Sequence, residues 1–224
     1  MKINIDDKSE IRYRLIILAL AIAGVFLYML FNDRNTEYID YSEHLGETIA
    51  TVDGEIITME DLAFYIVFYE GKTENMAKIY DRKDTLKLWN THINGDFLRL
   101  DTKDSIINNA IHDRIYYDLA QQEGIELTSE DEEALEFFII DFWEDVLDEQ
   151  YEKLPVSMDI INEQIRKACI AQKYQDKLAT EIGPTFAAYS YDGYYYEQQL
   201  KEYKVVIKKK LWERLRIGSV TLGH

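Results

Sequence analysis

Two short strands at Thr48 to Ile57 constrain this chain more than any other feature, because they cannot stand alone. Thr48 to Val52 is β-prone, Asp53-Gly54 suits a two-residue type I′ turn, and Glu55 to Ile57 returns. Thr58 can then cap a helix, with Asp61 three residues on in the capping-box position. A lone two-stranded hairpin is marginal in water, so a third strand must come from elsewhere. The best candidate is Tyr203 to Lys208, followed by a short helical turn through Trp212. Pairing these ends would enclose the helices between them, a long-range closure that forms slowly.

Helix formers fill the interval, and the chain has only two prolines and ten glycines. Met59 to Tyr69 reads as a short, nearly all-apolar helix, which Gly71 is expected to end. Residues 73 to 100 carry weak helix signals at Met76 to Tyr80 and Thr85 to Trp89, then a turn at Asn94-Gly95. Asp101 to Glu123 is a stronger helix, with Ile107, Ala110, Ile111, Ile115 and Leu119 at helical spacing and Gly124 suited to the C′ position. Thr128 or Ser129 caps the next helix, whose stripe is Leu135, Phe138, Ile139, Phe142 and Val146, and which stops before Pro155. A third starts after Ser157, runs through Ile161, Ile165, Ala168 and Cys169, and ends at Gly183-Pro184.

Charge and motifs narrow the function. A net charge of -17 argues against a nucleic-acid binder, since attraction to phosphate needs a basic face. Residues 126 to 152 carry twelve acids and no base, whereas residues 201 to 216 carry seven bases against Glu202 and Glu213. A solvated acidic helix face explains the first region, and mutual docking of the two regions is the sharper alternative. The single cysteine, Cys169, lies among apolar residues and reads as a small buried hydrophobe. There is no Gly-rich phosphate loop, zinc helix or EF-hand loop, so no cofactor or metal is implied and the chain reads as a non-enzyme. Acid pairs such as Glu132 with Glu136 repel mildly on a surface helix more often than they catalyse.

Tyr13 to Phe31 contains no charge after Arg14, and its 19 residues would span roughly 28 Å as a helix. Arg12 and Arg14 before it favour an N-terminus on the cytoplasmic side. A cleaved signal peptide would need more apolar sequence ahead of Ala19, Ala21 or Ala23, so an uncleaved signal anchor is expected. The expected organisation is a cytoplasmic tail at 1–14, a transmembrane segment at 13–31, a spacer at 32–47, an extracytoplasmic helical domain at 48–216 and a tail at 217–224.

Taken in order, the "VDGEIITMEDL" hairpin, the helix "SIINNAIHDRIYYDLAQQEGIELTSED" and the closing "YKVVIKKKLWERL" resemble the N-terminal chaperone module of SurA- and PrsA-type foldases, which is related to the chaperone part of trigger factor. Ala120, Gly124, Ile125, Leu127, Thr128 and Asp131 stand at the positions of that family's helix-ending pattern. The resemblance implies a mainly α module closed by a small antiparallel sheet, here preceded by one transmembrane helix. Isomerase members insert a parvulin domain between the third helix and the closing strand; only about twenty residues, Gly183 to Glu202, stand there, too few for a domain. The implied function is a membrane-anchored holdase that binds unfolded secreted polypeptides without isomerase activity. The alternative is a structural or adaptor subunit that holds one envelope or membrane partner. Candidate peptide contacts are Phe64, Tyr65, Phe68, Tyr69, Phe137, Tyr189, Tyr191, Tyr194 and Tyr195, the tyrosines drawn from "FAAYSYDGYYYEQQL". For those tyrosines the plainer reading is that alternate rings pack inward and the others are surface.

Overall fold

The computed structural model describes residues 14, 17, 18, 20–25, 37–93, 95–183 and 185–224. They fall into two compact units, Met1–Tyr38 and Ile39–His224. In the first unit the described residues 14, 17, 18 and 20–25 are helical. The transmembrane helix expected ahead of the module is corrected here: among the described residues, no helix is long and apolar enough to cross a membrane. The remainder of the Tyr13–Phe31 stretch lies outside the described residues.

In the second unit the hairpin forms as β1 (Thr48–Val52) and β2 (Glu55–Thr58). Asp53 and Gly54 both have positive φ, 50° and 95°, as a type I′ turn demands. The third strand is β5 (Val205–Ile207), which pairs antiparallel with β1 and sets Ala50 opposite Ile207. The sheet order is therefore β2-β1-β5, with the central strand flanked by its sequence neighbour and by the far end of the chain. Asp53 reinforces the closure: its N–H donates to the Lys204 carbonyl at 3.1 Å, and its carboxylate accepts from the Lys204 N–H at 2.7 Å.

Thr58 and Asp61 form the expected reciprocal cap, with Asp61 Oδ2 accepting from both the Thr58 N–H and hydroxyl at 2.7 Å. The helix that follows, α1 (Ala63–Tyr80), does not stop at Gly71. Glycine sits inside it because an added Cβ would lie 2.7 Å from Gln150 Oε1, so this position is a close approach rather than a break. The ambiguous stretch beyond it resolves into α2 (Leu86–Trp89) and a two-residue-strand hairpin, β3 (His92–Ile93) with β4 (Asp96–Phe97).

The long helices are α3 (Leu98–Gln122), α4 (Ser129–Asp145) and α6 (Met158–Ile182), with α5 (Asp148–Glu152) as a short link. α3 ends at Gly124 with φ 68°, α4 starts at a Thr128–Asp131 capping box, and α6 ends at Gly183 with φ 95°. α3 packs along α6, burying Ile106, Ile107, Ile111 and Ile115 against Ile161, Ile165 and Ala171. Between α6 and β5 lies α7 (Tyr194–Leu200), and α8 (Lys209–Arg214) follows the sheet.

The unit reaches beyond 48–216 at both ends. Tyr41 is buried and donates its hydroxyl to the Met59 carbonyl. Leu215, Ile217, Thr221 and Leu222 are fully buried, and Glu70 on α1 receives this segment. Its carboxylate accepts from the backbone N–H groups of Gly218, Val220 (3.3 Å) and Thr221 (2.8 Å) and from the Thr221 hydroxyl (2.6 Å). The C-terminal residues are thus core, not appendage.

Candidate peptide-binding groove

An apolar groove lies between α1 and α4. A single ring contact ties their inner faces: Phe64 on α1 meets Phe142 on α4 with centroids 5.5 Å apart. Gln150 seals one end, donating to the Val67 carbonyl at 2.9 Å and to the Thr221 hydroxyl at 2.8 Å. Outside these contacts the helices leave a groove of about 380 Å³ lined by Val67, Phe68, Gly71, Lys72, Asn75, Phe138, Asp141, Phe142, Asp145 and Val146.

α4 explains why this groove exists. Only Leu135, Phe142 and Trp143 of this helix are buried, a stripe narrower than a core helix normally presents. Phe138, which the periodicity assigns to that stripe, lines the groove instead. Apolar side chains remain exposed: Phe137 at 60%, Ile140 at 53% and Phe138 at 41% on α4, and Phe68, across the groove from Phe138 on α1, at 38%. Acids flank every one of them, with Glu133, Glu136, Asp141, Glu144 and Asp145 all exposed. Lys72 is the only base among the lining residues and stands about 6.0 Å from the Phe68 ring centre and 5.9 Å from that of Tyr69.

The other proposed contacts divide by burial. Phe64, Tyr65 and Tyr189 are core residues. Tyr65 donates its hydroxyl to Asp113 at 2.8 Å, and burial raises its pKa well above the usual phenol value. Tyr69 and Tyr191 are half-buried, Tyr69 accepting from Asn109 at 2.7 Å. Tyr194 and Tyr195 are exposed on α7, while Tyr196 turns inward to meet Tyr116 edge-on at 5.7 Å. The tyrosine cluster therefore divides between core and surface without strict alternation, and it is not among the residues that line the groove. Of the proposed contacts only Phe68 lines the groove, together with Phe138, while Phe137 is exposed elsewhere on α4.

Other features do not suggest chemistry. A cavity of about 130 Å³ between α1, α3 and α6, edged by Asp61, Asp113, Arg114 and Lys167, has room for little more than one side chain. Burial pushes the Cys169 thiol up to about 11, which leaves it protonated and unreactive near neutral pH. No group of three or more His, Cys, Asp or Glu side chains placed to share a metal ion occurs among the described residues. Two acids of the 126–152 region pair with α6 and not with residues 201–216: Asp131 with Lys173 and Glu132 with Arg166. Compared with known protein families, curated proteins and solved structures, the chain matches none.

Proposed function

We propose that this chain is a chaperone of the holdase type, which binds unfolded polypeptides without ATP and without isomerase activity. The observation that carries this reading is the exposed apolar face of α4 beside an open groove, on a helix held to the body by one narrow stripe. Singly exposed hydrophobes are ordinary, whereas Phe68 and Phe138 line one groove and Phe137 and Ile140 are exposed on the same helix as Phe138. Such a surface offers weak, exchangeable contacts to an extended chain, enough to delay aggregation while releasing clients readily. The order of hairpin, capped helices and closing strand, which resembles the SurA- and PrsA-type module, supports the same reading.

The test is suppression of aggregation, followed by light scattering, of several unrelated unfolded proteins mixed with the full chain. Suppression near stoichiometric amounts is expected. Replacing Phe68, Phe137 and Phe138 together with Ala is expected to abolish most of it without lowering the melting temperature, because these rings are already in solvent. Tyr194→Ala is expected to change little. No suppression of any client would overturn the reading.

A further inference from the structure

We propose that the α1–α4 groove selects segments in which lysine or arginine alternates with aromatic or aliphatic residues, and that Asp141 and Asp145 impose that selection. The inference deepens the chaperone reading and rests on it for the location of the site. Phe138, Asp141, Phe142 and Asp145 recur at helical spacing and all line the groove, so apolar floor and acidic rim come from one helix face.

The charge there is unspent. Of the twelve acids in residues 126 to 152, Asp131, Glu132 and Glu149 have ion-pair partners; the other nine have none among the described residues. The chain does hold free bases that could have neutralised them. Lys204, Lys208, Lys209 and Lys210 are exposed and make no ion pair among the described residues, yet they stand just before and just after β5 rather than on α4. Lys72, the groove's own base, faces the Phe68 and Tyr69 rings instead of an acid. A groove with exposed rings and uncompensated carboxylates is complementary to a cationic, amphipathic segment, and it repels an anionic one of the same hydrophobicity.

The experiment uses fluorescence anisotropy with the full chain and two labelled peptides of equal length. One alternates lysine with phenylalanine and leucine; the other has glutamate in place of every lysine. The basic peptide is expected to bind about tenfold more tightly, and the gap is expected to shrink as salt is raised. Asp141→Asn with Asp145→Asn is expected to remove most of that preference, roughly five- to tenfold. Both carboxylates are exposed and make no side-chain hydrogen bond among the described residues, so the variant should fold normally. Phe138→Ala should weaken both peptides alike.

Equal binding of the two peptides, or a preference that survives the double variant, would overturn the proposal while leaving aggregation suppression intact. Preferential binding of the basic peptide without suppression of any client would uphold the groove's selectivity and remove the holdase reading. Salt-sensitive dimers in sedimentation, dissolved by Lys208→Gln with Lys210→Gln and by the basic peptide, would assign the groove to a second copy of this chain and overturn the proposal.

Discussion

Glu70 is buried, and its carboxylate is held by four donors from the C-terminal segment. Burial pushes its pKa up while those hydrogen bonds pull it down, and burial prevails. Glu70→Gln would turn an amide NH₂ toward backbone N–H groups, which can only donate. The expected cost is about 2–4 kcal/mol in urea unfolding. Lys103 on α3 is buried too, donating to the Leu215 carbonyl at 2.6 Å beside the Trp212 ring, and burial lowers it from 10.5 to about 8. Because its folded value lies below its unfolded one, the unfolded chain binds more protons between those two values. Stability from this group therefore rises as pH climbs from about 8 to 10.5. Lys103→Met is expected to remove that rise, on the order of 3 kcal/mol, in melts compared with the unsubstituted chain across the window. Neither residue announces itself in the sequence. A glutamate and a lysine on amphipathic helices read as solvated, and only the arriving C-terminal backbone makes them interior.

Among the elements, α1 departs most from its sequence pattern. Glycine is a poor helix former, so a Gly two residues after an apolar run reads as a stop. Here it lets Gln150 approach, and Gln150 is itself fixed by the Val67 carbonyl, the Thr221 hydroxyl and the Leu147 N–H. Gly71→Ala would gain about 1 kcal/mol of helix propensity and lose more through displacement of that buried amide. A lower melting temperature is expected, with most of the loss removed in a Gly71→Ala, Gln150→Ala double-mutant cycle. The other helices were legible because their signals are local. Thr128 with Asp131, Ser157, Gly124 and Gly183 act within a turn of where they stand. α4 was legible as a helix but not as a surface. Leu135, Phe138, Ile139, Phe142 and Val146 form one apolar stripe on paper, yet the neighbouring helices cover only part of it.

At the scale of the whole molecule, both ends of the second unit are stitched to its middle. β5 closes on β1, and Thr221 binds Glu70 across 151 residues of sequence. Removing residues 215–224 would take Leu215, Ile217, Thr221 and Leu222 from the core and leave Glu70 buried without donors. Loss of a cooperative thermal transition in circular dichroism is expected; an unchanged transition would show the segment to be dispensable. The sequence by itself determined the helices, their caps, the type I′ hairpin and its need for a third strand, because each depends on residues within a few positions. It also determined the acidic balance of the chain. Tertiary structure alone decided that Gly71 is interior to a helix, that the last ten residues are core, and that Phe138 faces a groove while Tyr189 and Tyr196 do not. Those outcomes depend on which surfaces meet, and a surface left over after packing has no signature in the chain that makes it.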